Sequence, residues 1–571
     1  MNIIGVNGHT ARNPEKGITH NSGAAWLEDG RIVAAIDEER LSRVKNDKSY
    51  PLRSIEALTQ TSSRRPDFVA VANFSRRHFA GDMVRGYWQA RKLAKQPLYK
   101  SYLNSRIVDF PLRTLGQILV PRTLLDSLRG LPNGETRHHP AHAASAYYCC
   151  PWPSEKVLTI TLDAAGDGHC GSVWIGHNGR LEHLHSIDFL SSVGGLYTAF
   201  TAQLGFKMLQ HEGKIVGLAA YGKPEPLLSR LQQHVSGRGS ALSFDGDLMF
   251  LALTANRPGT REIYEALTHG LSREDIAAGL QAFTEMTVCD LVAEWVGKTG
   301  IGKLALAGGV FANVKANQRI LELDCVENIY IQPNMGDGGL ALGAALAAHA
   351  EQNGGLTPRL LESLYLGPDI SSDEAAREFA AAGVAYTRPE NAAKTVAGLL
   401  AQGKVVARAA GRMEYGPRAL GNRTVFASCS DPTINKWLND RLQRTEFMPF
   451  APIILEGHAA EYFPAWRPDH VTARFMTITY DASDIAKKNI PAAIHVDGTA
   501  RPQVLRQSDN PEVHAILTEY HALTGIPSVI NTSFNMHEEP IVCSAGDAVR
   551  AFQLGRLDAL LCAGLLAVAG S

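Results

Sequence analysis

The chain opens with NIIGV, a short apolar run that predicts a buried strand, followed by GAAWLEDGRIVAAIDEE, two apolar stretches joined by Asp29-Gly30. Asp-Gly favours positive φ at both centres of a two-residue turn, so the pattern predicts a tight hairpin. The same pattern returns roughly 150 residues later. There VLTITLD predicts a second buried strand, and CGSVWIGHNGRLEHLHSID a second hairpin turning at Asn178-Gly179. A strand followed by a hairpin, twice in one chain, predicts two similar α/β subdomains facing each other across a ligand-holding cleft.

Residues Arg76 to Arg129 interrupt the pattern with eleven Lys/Arg against three Asp/Glu, interleaved with Tyr87, Trp88, Tyr99, Tyr102 and Phe110. This is a helical insertion with a basic, aromatic face. It reads either as solvated helices whose aromatics pack inward or as an acceptor platform for an anionic substrate. After an Ala-rich helix, EQNGGLTPRLLESLYL (351–366) carries paired glycines and a proline, the composition of a linker. The expected organisation is therefore a first domain over 1–350 with the insertion at about 76–129, a linker over 351–366, and a second α/β domain over 367–571. Strands are expected in the second domain near Lys404 to Arg408, Arg474 to Tyr480 and Ile526 to Asn531.

A length of 571 residues fits two or three domains. The 56 basic and 57 acidic side chains nearly cancel, which removes any global attraction to nucleic acid or an anionic membrane. Small or neutral partners fit better. Eight cysteines lie scattered without CxxC pairs, as expected in a reducing compartment. No signal-peptide pattern opens the chain, and the apolar stretch after Asp558 is too short to span a bilayer. The expected location is the cytoplasm, without a transmembrane segment; oligomeric state is not legible, a homodimer being one arrangement allowed.

Chemistry concentrates in a few segments. DAAGDG after VLTITL places Asp163, Gly166 and Asp167 at a strand end where backbone N–H groups approach phosphate, and AGGVFANVKAN offers Gly308, Gly309 and the amide of Asn313. Two glycine turns in two subdomains point to a nucleotide. In RHHPAHAASAYY, Pro140 suits the first turn of a helix, so His142 and either His138 or His139 converge. With the carboxylate of Asp337 in NMGDGG they suit a divalent metal; a histidine-rich helix cap is the alternative. His20, the charged run EERLSRVK with Lys45, and Glu212 in QHEGKIVGLAAYGK read as a frame for an acceptor hydroxyl or as solvated loops. In the second domain GRMEYGPRALGNR gathers Arg412, Glu414, Arg418 and Arg423, while Arg501, Gln503, Asn531, Thr532, Ser533 and Asn535 follow. Arginines among polar loops predict an anion site.

In order along the chain, HHPAH, EGKIVGLAAYG, GGVFAN, NMGDGG, GRMEYGPRALGNR and NTSFN with EPIV resemble the O-carbamoyltransferase family of the Nod-factor, cephamycin and tobramycin carbamoylating enzymes. The resemblance implies an actin-like, Kae1/TsaD-like duplicated α/β domain followed by a YrdC-like α/β domain. It further implies that carbamoyl phosphate and ATP, with magnesium, are joined into carbamoyl adenylate, and that the carbamoyl group passes to a hydroxyl of a sugar, glycan or natural product. Carried over, His138, His142 and Asp337 would hold iron(II) or another divalent metal. Gly308, Gly309 and Asn313 would lie at the adenylate, and His20, Lys45 and Glu212 at the acceptor. Arg418, Arg501, Asn531 and Ser533 would line the first-step site. LQRTEFMPF departs from the family pattern: an expected lysine falls on Gln443 and an expected arginine on Met448, with Arg444 the candidate to replace the lost charge. Two other readings fit some of these motifs, a tRNA threonylcarbamoylation-related enzyme and a non-catalytic actin-like ATP-binding protein.

Overall fold

A computed structural model of the chain describes residues 1–8, 20–62, 64–72, 128, 130–255, 259–442 and 450–569. It divides into two compact units, Met1–Val33 with Asn46–Leu360, and Ala34–Lys45 with Leu361–Ser571. Apart from Leu128 and Gly130, the residues from 73 to 130 that include the basic insertion lie outside the described residues, as do Gln443, Arg444 and Met448.

Strands β1 (Asn2–Asn7), β2 (Gly23–Glu28), β3 (Arg31–Asp37), β4 (Phe68–Ala72) and β5 (Asn133–Thr136) form a sheet in the order β3-β2-β1-β4-β5. Strands β6 (Val157–Gly166), β7 (His169–His177) and β8 (Arg180–Asp188) begin the second sheet. After a short pair, β9 (Val235–Ser236) with β10 (Ser243–Phe244), β11 (Lys303–Ala307) and β12 (Asn328–Ile331) complete it in the order β12-β11-β6-β7-β8. In each sheet the first strand runs antiparallel to the second and parallel to the fourth. The same topology twice is the duplicated α/β arrangement that the sequence predicts. Both hairpins turn as the sequence predicts: Asp29 and Gly30 have φ of 49° and 78°, Asn178 and Gly179 of 50° and 73°.

Close approaches without side chains set the spacing around β1 and the helix His138–Tyr147. A Cβ on Gly5 would lie 2.0 Å from the Ala341 carbonyl oxygen, and one on Gly343 would lie 1.9 Å from that of Ala141. The Ala-rich helix Leu340–Asn353 therefore packs tightly against β1 on one side and the helix His138–Tyr147 on the other. The helix Arg273–Thr299 is long and apolar enough to cross a membrane, but 67% of its apolar window is buried within the fold, as in a core helix.

The second unit is built on a seven-stranded sheet. It comprises β13 (Val406–Ala409), β14 (Arg423–Ala427), β15 (Ala451–Leu455), β18 (Gln503–Leu505), β19 (Ser528–Ser533), β20 (Ala559–Cys562) and β21 (Leu565–Val568), ordered β18-β15-β19-β14-β13-β20-β21. Val406, Phe426, Ile453, Val529 and Leu561 form its core with Leu400, Val513 and Leu517 from two helices. The strand expected near Arg474 to Tyr480 is instead a 3-10 turn over Val471–Phe475, with only β16 (Tyr480–Asp481) extended, paired to β17 (Thr499–Ala500). Met476 takes φ 56°, and Thr477 Oγ1 donates to the Thr472 carbonyl at 3.0 Å, so the apolar run folds back on itself although it is buried.

Candidate active site

Four side chains from three elements of the first unit meet in the interior: His138 and His142 from one helix, Asp163 near the end of β6, and Asp337 from the 3-10 turn Asp337–Gly339. His138 and His142 are four apart and thus share a helix face. His142 Nε2 lies 3.3 Å from Asp163 Oδ2 and 3.7 Å from Asp337 Oδ1; for His138 Nε2 the corresponding distances are 3.6 and 3.9 Å. Charge-assisted hydrogen bonds run at about 2.7–2.9 Å, so these separations are too long for good direct bonds. An ion with ligands at about 2.0–2.2 Å in a tetrahedron would set them roughly 3.3–3.6 Å apart. His142 Nδ1 and Nε2 and Asp337 Oδ1 are buried without hydrogen-bond partners, which is the state of ligands rather than of a packed histidine cap. The donor set fits a divalent metal.

Charge balance agrees. Burial works against the His138 cation, but Asp337 and then Asp163 overcome it and raise the imidazole to about 9. Burial likewise opposes the Asp163 carboxylate, yet the His138 and His142 imidazoles beside it hold it well below the ordinary range. Two carboxylates this close inside a fold demand positive charge. His139 stands apart: its Nδ1 pairs with Thr161 Oγ1 at 2.9 Å, and burial with the His138 charge pushes it down to about 3. Of the two histidines the sequence left open, His138 joins His142.

Backbone groups fix the carboxylates. Asp163 accepts from the N–H of Ala164 at 2.7 Å and of Gly309 at 3.1 Å, and buried Asn7 donates to the Asp337 carbonyl at 2.8 Å. Gly166 lies under the His138 ring, where a Cβ would come within 2.2 Å of Cδ2. Gly308, at φ 107°, passes so near β6 that a Cβ would lie 2.1 Å from the Leu162 carbonyl oxygen. Asp167 accepts from the His139 N–H at 3.0 Å and so caps the histidine helix, whose own N-cap residue, Arg137, makes no side-chain cap.

The other expected site residues divide. His20 Nε2 is 3.8 Å from Asp337 Oδ2, and its Nδ1 is buried without a hydrogen-bond partner. Glu212 opens a helix, accepts from Leu209 N–H at 2.6 Å, and is raised by burial while sensing the His20 charge. Asn313 is committed elsewhere: it caps the helix Val314–Leu321 and exchanges amide bonds with Gln281 at 2.9 and 3.0 Å. Lys45 belongs to the second unit, where it pairs with Glu39 at 3.5 Å.

In the second unit the arginines of GRMEYGPRALGNR part company. Arg412 donates to the carbonyls of Leu366 and Gly367, and Arg423, fully buried, to those of Ala410, Gly411, Asn422, Pro368 and Cys543. Both are structural clamps. Glu414 Oε1 accepts from the N–H groups of Leu420, Asn422 and Arg423, turning the loop around one carboxylate. Asn531 is held by the Ala419 carbonyl, Gln503 and Thr424, and Ser533 donates to Asn535. Arg501 follows β17 directly. Arg418 differs: its Nε is buried without a hydrogen-bond partner, no acid stands beside it among the described residues, and burial alone pushes it down to about 10. A half-buried cation with no counter-charge suits an anion.

The family model described as Carbamoyltransferase N-terminus matches residues 16–346, and Carbamoyltransferase C-terminus matches 397–568. The chain belongs to the carbamoyltransferase family. This family member is similar to Nodulation protein U of Sinorhizobium fredii, at 32% identity over 96% of this chain and 97% of that one. It is also similar to Nodulation protein NolNO of the same organism, at 31% identity over 95% and 78%. Among solved structures, full-length HypF in the phosphate- and nucleotide-bound form covers 61% of this chain and 46% of its own length, at 17% identity and a TM-score of 0.34. As a carbamoyltransferase the chain is a transferase enzyme.

Three residues of this carbamoyltransferase escaped the sequence reading. Asp163 was expected at a nucleotide, yet its carboxylate stands with the metal-type ligands. Its signal was its place near the end of a buried strand. Asn7 carried no motif, and Arg40 stood only as one charge in the run EERLSRVK; both are buried polar residues whose partners lie far away in sequence.

Proposed function

We propose that the chain is an ATP-dependent O-carbamoyltransferase. The second unit, read as YrdC-like, converts carbamoyl phosphate, ATP and water into carbamoyl adenylate, pyrophosphate and phosphate. The first unit passes the carbamoyl group to a hydroxyl acceptor. The observation that carries the first step is Arg418, a guanidinium with neither acid nor hydrogen-bond partner among the described residues, on a loop whose backbone N–H groups of Leu420, Asn422 and Arg423 are held by Glu414. Such a cation holds phosphate oxygens as charge shifts between them.

For the second step, His138, His142, Asp163 and Asp337 would hold iron(II) or another divalent ion, which when bound supplies a Lewis acid for the carbamoyl oxygen. His20 takes the proton of the acceptor hydroxyl as the hydroxyl oxygen bonds to the carbamoyl carbon and the bond to the AMP oxygen breaks. Asp337, 3.8 Å from Nε2, attracts the charge that forms. Glu212 is close enough to sense the His20 charge and supports the acceptor side. Lys45 and Arg501 are assigned to acceptor and first-step contacts by the family resemblance.

The test separates the steps. With labelled carbamoyl phosphate, ATP and a panel of sugar and glycan hydroxyls, His20→Ala is expected to release pyrophosphate but carbamoylate nothing, whereas Arg418→Ala releases no pyrophosphate. Loss of both activities in His20→Ala, or normal pyrophosphate release in Arg418→Ala, overturns the assignment.

A further inference from the structure

Ala34–Lys45 belongs to the second unit although the residues on either side of it in sequence belong to the first. Two arginines fix it there. Arg40, 2% exposed, donates through Nη2 to the Gly416 carbonyl at 2.7 Å. Arg43 donates to the carbonyls of Ile541 and Pro540 at 2.7 and 2.8 Å and pairs with Asp547 at 3.3 Å.

The Gly416 carbonyl is a sensitive point in the loop that presents Arg418. Downstream, the carbonyl of Ala419 is held by Asn531, that of Leu420 by Tyr365 and Gln503, and that of Gly421 by Arg408. Upstream, the N–H of Met413 is held by Pro368 and that of Tyr415 by Leu364. Between them stand Gly416, at φ 107°, and Pro417, which has no N–H to anchor. The peptide plane joining Gly416 to Pro417 is thus set by its carbonyl, and Arg40 holds that carbonyl. A rotation of this plane swings the chain one residue before Arg418.

We propose that Arg40 is a positioning residue for anion capture by Arg418: it fixes the Gly416–Pro417 peptide plane and, through it, the direction of the Arg418 guanidinium. The inference rests on Arg418 being the first-step anion contact. One donor suffices for one carbonyl, so lysine replaces arginine here, whereas it would not replace a bidentate anion fork.

The experiment uses the full chain and carbamoyl-phosphate-dependent exchange of labelled pyrophosphate into ATP. Arg40→Ala is expected to raise the carbamoyl phosphate KM by about 10- to 100-fold, the scale of a misplaced catalytic group, with kcat changing less. Arg40→Lys recovers most of the loss. Hydrogen exchange on the same proteins is expected to show faster exchange at the Arg418 and Ala419 amides in Arg40→Ala alone. Wild-type KM and unchanged loop exchange in Arg40→Ala overturn the proposal, as does a Lys variant as impaired as Ala. Wild-type protein that shows no exchange into ATP defeats the reading of Arg418 instead; loop hydrogen exchange then still decides what Arg40 holds. Should Arg40→Ala not fold, Arg40→Lys and Arg40→Met, which keep the buried stem, carry the same comparison.

Discussion

Gly166→Ala probes the candidate metal site without touching a ligand. The added Cβ would lie 2.2 Å from His138 Cδ2, 2.4 Å from Cγ and 2.8 Å from Nε2. Carbon atoms in contact need about 3.5 Å, so the ring or strand must move by roughly 1.3 Å. Metal–ligand distances tolerate only about 0.2 Å, and even outer supports of a metal site are worth about 10- to 100-fold in affinity. The expected result is at least that loss in iron(II) affinity, measured anaerobically by competition with a chromophoric chelator, together with loss of carbamoyl transfer and retention of carbamoyl-phosphate-dependent pyrophosphate exchange. Gly213→Ala is the control: nothing lies within 4 Å of its added Cβ. In that helix the change is expected to be neutral or to stabilise by up to about 1 kcal/mol. Wild-type metal affinity in Gly166→Ala would refute the placement of His138 at the ion.

Further predictions separate look-alike residues. His142→Gln should lose bound metal, while His139→Gln keeps it and loses about 0.5–1.5 kcal/mol of stability as the bond to Thr161 is lost and Ser172 still holds that hydroxyl, checked by metal content after gel filtration and by urea midpoint. Asn313→Ala should cost about 0.5–2 kcal/mol as the cap of Val314–Leu321 is lost. That loss should be non-additive with Gln281→Ala, because the two amides bond each other. Strict additivity in a double-mutant urea series would contradict this.

The local grammar of the chain was readable. Asp29-Gly30 and Asn178-Gly179 announced hairpins because positive φ is a property of those residues themselves. His138 and His142 announced a shared helix face because four residues make about one turn. What escaped depends on partners distant in sequence. His139 carries the same imidazole as His138, and only Thr161 and the fold of β6 separate their roles. Arg412, Arg418 and Arg423 are equal charges on paper. Carbonyls from several segments claim two of them and leave Arg418 uncommitted. EERLSRVK looked like one charged run, but its arginines reach Gly416 and Ile541, hundreds of positions away. Such contacts follow from tertiary packing, which residue spacing does not encode.

The account turns on activation of the carbamoyl group by ATP before any acceptor is present. The direct measurement is exchange of labelled pyrophosphate into ATP by folded, metal-loaded protein given magnesium and no acceptor. Exchange that appears only when carbamoyl phosphate is added, and disappears in Arg418→Ala, is the predicted result. Absence of exchange, or exchange indifferent to carbamoyl phosphate, would contradict it.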